Sequence, residues 1–227
     1  MKEKKAIVKK GRRKYRPWVG FALFWVRLFT KKRKVEGEIL DGPCVYLCRH
    51  RDEDGVIGAF TSLKTVLRPW ALNFCVDYDT CRRHLREYTL KEKWGKNSFI
   101  SGLVAPIMAF GLTSLVRSAR AIPVYRGEEG RKSIVTIKSS VRALEDGEQL
   151  LVFPDVDYAS GDARESGEVY KGFVAVDKLF FRRTGKRVRF VPVYMTDDKV
   201  VLHQPIVLGE EAEEQTIARI VEKIYNE

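Results

Sequence analysis

Along this chain, short apolar runs alternate with longer stretches in which apolar residues recur every three or four positions. The short runs are Cys44–Cys48, Trp70–Val76, Ala121–Val124, Gln149–Phe153, Val188–Val193 and Lys199–Leu202, and each predicts a strand. Turn residues punctuate them. Gly37, Gly42 and Pro43 precede the first run, Asp146-Gly147 the fourth, and Pro154 stops the fourth. Helical spacing predicts helices over Asp54–Leu63, Thr80–Trp94, Tyr170–Arg182 and Glu210–Tyr225. A further helix is predicted over Glu129–Leu144, where Ile134, Ile137, Val141 and Leu144 share a face. Residues 155–168, rich in Asp, Gly and Ser, read as a loop. Strands alternating with helices predict an α/β fold, and neither an internal repeat nor a second domain boundary interrupts the pattern.

Two apolar stretches depart from this pattern. Pro17–Phe29 is aromatic and apolar apart from Arg27, and Lys31, Lys32, Arg33 and Lys34 close it. It is too short to cross a hydrocarbon core of about 30 Å, but its composition fits a helix lying in a membrane interface. A helix packed on the domain is the plain alternative. Phe99–Val116 carries no charge, and its length alone would allow a span. A full span would put the residues before and after it on opposite sides of a membrane, and Gly102, Pro106 and Gly111 interrupt it. Two readings stay open: a buried or half-embedded helical hairpin, and a plain core helix pair.

Composition sharpens the picture at the N-terminus. The 227 residues are 44% apolar, enough for a core, and carry a net charge of +12. Residues 1–34 hold fourteen Lys or Arg and one acid, so they carry +13 and the remainder −1. A basic tail on a neutral globule points to an anionic surface as partner. It argues against nucleic acid, because the aromatics stand in one block instead of alternating with the basic residues for base stacking. The chain therefore divides into a membrane-binding segment, 1–34, and a domain, 35–227. Cys44, Cys48, Cys75 and Cys81 form no CxxC pair and read as reduced thiols of a cytosolic protein. No secretory signal pattern is present.

The candidate chemistry centres on Cys48-Arg49-His50-Arg51-Asp52-Glu53-Asp54-Gly55, between a strand and a helix. A histidine there, with acids just after it, is well placed as a general base whose tautomer a carboxylate can fix. The stretch resembles the Asn-His-x4-Asp block of the glycerolipid acyltransferases of the lysophosphatidic acid acyltransferase type, with Arg49 in place of Asn and Gly55 in place of Asp. Four more stretches follow in that family's order. Ile122-Pro123-Val124-Tyr125-Arg126-Gly127 resembles its second block, with Arg120 where the family has glycine. Val152-Phe153-Pro154-Asp155 resembles the start of its third, Phe-Pro-Glu-Gly-Thr-Arg, with Asp155 for the glutamate and Val156-Asp157-Tyr158 following. Tyr170-Lys171-Gly172-Phe173 resembles its Phe-Lys-x-Gly element, and Val191-Pro192-Val193 its short fourth block. The likeness covers residues 40–195.

The resemblance implies a mixed, mostly parallel sheet flanked by helices. It implies an enzyme, peripheral or monotopic on the cytoplasmic face of a membrane, that moves an acyl group from acyl-CoA or acyl carrier protein to a lysophospholipid or glycerol phosphate. His50 would be the base and Asp54 the acid that orients it, with Asp52 open if residues 50–54 are not helical. Arg126, Lys171, Asp155 and Gly172 would serve substrate binding, and a half-embedded Phe99–Val116 would line an acyl channel. The implied chemistry needs no metal and no cofactor. Two alternatives remain: a lipid-binding homologue impaired in catalysis, because Gly55 removes the family's acid, and a haloacid-dehalogenase-type phosphatase, because Asp155-Val156-Asp157 follows a strand. Against the phosphatase, Pro154 intrudes and Ala159 stands where Thr belongs.

Overall fold

The computed structural model describes Tyr15 and residues 17–50, 52–125, 131–154 and 170–226. The side chains of Asp52, Glu53 and Asp54 lie outside the description. Its strands are β1 (Lys34–Glu36), β2 (Val45–Cys48), β3 (Leu67–Leu72), β4 (Ile122–Val124), β5 (Gln149–Val152), β6 (Phe190–Met195) and β7 (Lys199–Leu202). They form one sheet in the order β1-β7-β6-β2-β5-β3-β4. Every neighbouring pair is parallel except β6–β7, so the sheet is mixed and mostly parallel.

The central strands are buried on both faces, which is why they read as unbroken apolar runs. Val45, Leu47, Leu150 and Val152 point into one core, closed by α6 (Arg131–Glu145), α7 (Gly172–Thr184) and α8 (Glu213–Tyr225). Tyr46, Cys48, Leu151, Val191 and Val193 point into the other, closed by Ala59 and Leu63 at and just beyond the end of α2 (Asp52–Ser62). Pro192 sits inside β6 without breaking its pairing to β2. Phe190 both donates to and accepts from Ile206, so its N–H faces away from β2. Two residues on, the missing N–H of Pro192 faces the same way, beyond the end of β7.

Between β3 and β4 the chain leaves the sheet. A single turn, α3 (Asn73–Val76), leads to α4 (Tyr78–His84), which continues as a π-helical segment over Leu85–Lys93. The amide of Trp94 reaches back five residues to the carbonyl of Thr89, at 3.0 Å. Then α5 (Ser98–Ser118) returns antiparallel to that pair, with Asn97 capping it through a 2.9 Å bond from the Ile100 amide. The strand expected over Trp70–Val76 thus ends at Leu72, and its last four residues are helical.

The expected readings of Phe99–Val116 both need correction. The stretch is neither a hairpin in itself nor a core helix pair. It is one continuous helix whose partner is α4 with the π-helical segment. Only a stripe of small side chains, Ser101, Ala105, Ala109 and Thr113, is buried. That stripe lets α5 lie close along Cys81, Leu85 and Leu90.

Helix α1 (Pro17–Phe29) lies on the domain against α2 and α5. The hydroxyl of Tyr15 donates to the carbonyl of Thr65 at 3.2 Å and accepts from the amide of Leu67 at 2.8 Å. Arg27 donates to the carbonyl of Phe60, and Arg33 to that of Thr196. Yet α1 buries only Val19. Cys44, Cys48 and Cys81 are buried, Cys75 is half-buried, and none is in a disulfide.

Candidate functional site

In an open parallel sheet, side chains just past the C-terminal ends of the strands surround a natural site. His50 stands there, two residues beyond β2, and α2 begins at Asp52. Its neighbour across the sheet is the strand that carries the third motif. β2 pairs with β5, Leu47 opposite Val152, and the imidazole meets the ring of Phe153 edge-on, centroids 5.1 Å apart and planes at 67°. On the other side of β2 runs β6, with Leu47 opposite Pro192 of the fourth motif. Three of the four motif-bearing strands are thus contiguous.

The remaining motifs approach the same edge. The amide of Tyr170 donates to the carbonyl of Pro154 at 2.6 Å, which ties the start of α7 to the end of the third motif. Lys171 is exposed at that helix's N-cap position. The exposed ring of Tyr170 lies over Gly172, where a Cβ would have to push it aside. β4 lies at the edge, parallel to β3 and two strands from β5, and ends at Val124. Arg126, Asp155 and Asp157 lie outside the described residues.

Two residues where the chain departs from the family pattern have structural explanations. At Gly55 a Cβ would overlap the backbone carbonyl oxygens of His50 and Arg49. The first turn of α2 closes so tightly over His50 that no side chain fits, and an aspartate there would force the backbone to move. Arg120 adopts a left-handed backbone with φ of 58°, which is where a glycine is most at ease. Its guanidinium pairs with the buried carboxylate of Glu148, which also takes Arg68 Nη1 at 2.9 Å. Arg68 Nε in turn donates to the Arg120 carbonyl at 2.6 Å. This cluster sits at the start of β5, at the opposite end of the strands from His50.

The helical geometry expected to bring Asp54 to His50 does not hold. His50 precedes the helix, so the four-residue spacing does not place the two on one helical face. Asp52 and Asp54 are the first and third residues of α2, where a carboxylate is favoured by the helix dipole.

Sequence reasoning missed Phe153 as the neighbour of the imidazole, because that contact depends on β2 pairing with β5. It also missed the cation–π contact of Arg49 with Tyr225, 4.7 Å from guanidinium carbon to ring centroid, which links the residue before His50 to the end of α8. A cavity of about 280 Å³ lies at the other end of the strands, lined by Pro43, Leu144, Phe180 and Lys186 to Arg189. Its arginines are already engaged, Arg187 with Asp177 and Arg189 with the carbonyls of Asp41 and Pro43, so it is a structural seam. No family model, no curated protein and no solved structure matches this chain.

Proposed function

We propose that the protein is a membrane-associated acyltransferase, passing an acyl group from a thioester donor, acyl-CoA or acyl carrier protein, to the hydroxyl of a lysophospholipid or glycerol phosphate. A 1-acyl-sn-glycerol-3-phosphate fits the motif pattern best. The observation that carries the reading is the position of His50, at the C-terminal edge of β2 between the strands of the third and fourth motifs and against Phe153.

In this reading His50 accepts the proton of the acceptor hydroxyl, and the oxygen attacks the thioester carbonyl without an acyl-enzyme. The tetrahedral intermediate collapses, the C–S bond breaks, and the thiolate takes the proton from the imidazolium. Backbone N–H groups at the start of α2 stabilise the oxyanion. Asp54 or Asp52 orients the imidazole. Arg126 and Lys171 hold the phosphate, as a guanidinium fork and an ammonium do well. Asp155 and Gly172 serve substrate binding as the motif pattern implies. The basic segment 1–34 brings the enzyme to its lipid substrate at an anionic cytoplasmic surface.

A second reading, a lipid-binding homologue impaired in catalysis, is favoured by Gly55, whose packing leaves no room for the acid of the family pattern. Purified full-length protein given a lysophosphatidic acid and an acyl thioester separates the two. Acyl transfer that disappears in His50→Ala, and falls by orders of magnitude in one of Asp54→Asn and Asp52→Asn, is the expected result. A mis-set catalytic histidine costs about 10⁴-fold in serine proteases. Lipid binding without turnover by the wild type would favour the second reading, and full activity in His50→Ala would refute the first.

A further inference from the structure

The exposed apolar surface of this protein is concentrated in two places. Of the twenty large apolar side chains exposed among the described residues, six are on α1 and six on α5. On α5, Phe99, Leu103, Ile107 and Phe110 are 81, 65, 71 and 66% exposed. At 100° per residue these four fall within an arc of about 80°, turned away from the buried small-residue stripe. On α1, Phe21, Phe24, Leu28 and Phe29 are 57, 58, 59 and 85% exposed. The two helices pack against each other, so their bare faces belong to one region of the surface. A surface of this kind marks an interaction site.

We infer that α1 and α5 together form an insertion face for an anionic bilayer, with α5 lying in the plane of one leaflet. Charge complementarity names the occupant. Exposed Lys31 and Lys32 follow α1, and exposed Lys93 and Lys96 precede α5, where they can meet anionic head groups while the aromatic and aliphatic side chains enter the acyl boundary. A transmembrane course for α5 is excluded by its partner. The α4 and π-helical pair along its other side carries Asp79, Arg82, Arg83, Arg86, Glu87 and Lys91, which a span would drag into hydrocarbon. An in-plane course leaves them in water. The proposal shares only the membrane with the enzymatic reading and does not depend on its chemistry.

The test uses full-length protein and flotation with vesicles of phosphatidylcholine and phosphatidylglycerol. Leu103→Ser/Ile107→Ser should weaken partitioning at least about tenfold without changing the melting temperature, because both side chains are exposed. Ile134→Ser/Val135→Ser on α6, also exposed, should leave partitioning unchanged. The α5 contribution should survive high salt, which removes only the lysine contribution. A polarity-sensitive fluorophore on Ile107→Cys should shift to the blue on vesicle addition. Cys75, whose thiol burial pushes up to about 12, competes poorly for the label. If the wild type floats and the α5 variant floats equally well, or the fluorophore does not respond, the inference is wrong while a membrane role for 1–34 stands. If the wild type fails to float at all, both fall. If the α5 variant instead turns a dimer into a monomer with flotation unchanged, the face binds a second copy and the inference is overturned.

Discussion

At position 55 a side chain of any size meets the backbone carbonyls of His50 and Arg49. Restoring the family spacing with Gly55→Asp should therefore not strengthen catalysis. Overpacking of this sort costs about 1–3 kcal/mol, so Gly55→Asp and Gly55→Ala should both lower stability by that order in urea denaturation. A Gly55→Asp variant as stable as wild type and more active would show that the first turn of α2 yields easily. Arg120 makes the converse case, because a residue ill-suited to its backbone is held there by an ion pair. Arg120→Ala loses the pair with Glu148 and keeps the strained φ, whereas Arg120→Gly loses the pair and relieves the strain. The glycine variant should be the more stable of the two by about 1 kcal/mol. Equal stabilities would mean that φ is not strained at this residue. Neither feature is visible in the chain, since each depends on backbone placed by other elements.

At the scale of elements, the reach of sequence reasoning follows the physics of burial. Strands enclosed on both faces announce themselves, so β2, β5 and β6 fall where the apolar runs do, and β7, buried at every second residue, still reads from its Val200 and Leu202. β3 begins three residues earlier than expected because Arg68 and Pro69 mask it. Arg68 is tolerated through Glu148, and Pro69 through the fact that β4 begins only opposite Trp70. The start of the candidate site, a histidine after β2, was legible. Its surroundings were not, because Phe153 and His50 are about a hundred residues apart and meet only through pairing of their strands. The α4 and π-helical pair offers a test of its own packing. His84 stacks on Phe74 at 4.0 Å and lies 5.2 Å from Tyr88, and burial lowers its pKa from the ordinary 6.5. The folded state thus prefers the neutral ring. Its contribution to stability is complete above 6.5 and is lost as the pH falls through 6.5 toward the lower folded value. The melting temperature should drop as the pH falls below about 6.5, less so in His84→Phe. An unchanged slope in that variant would place the effect on other groups.

For the whole molecule, the N-terminal segment has to be understood together with the domain it lies on. Sequence separates a basic segment, 1–34, from a domain, 35–227, and charge alone supports that division. The structure adds that α1 is fastened to the domain by Tyr15 at Thr65 and Leu67, by Arg27 at Phe60 and, just beyond the helix, by Arg33 at Thr196. Lys34, the last residue of the segment, already pairs with Lys199 in the sheet. Deleting 1–34 therefore does two things at once. It removes the basic charge, and it removes hydrogen bonds worth about 1 kcal/mol each along with cover over α2 and α5. Such a deletion should lower the melting temperature, and its loss of vesicle binding would be ambiguous. Lys31→Glu/Lys32→Glu separates the two effects, because both side chains are exposed and none of the hydrogen bonds named above involves them. Each basic residue near an anionic surface contributes about 1 kcal/mol, so reversing two should weaken binding to anionic vesicles well over tenfold at low salt. The difference should shrink at high salt, and the melting temperature should stay near that of the wild type. Flotation and a thermal melt on the same preparation check both halves. A charge-reversed protein that melts normally and still floats on anionic vesicles at low salt would show that these two lysines do not face the membrane.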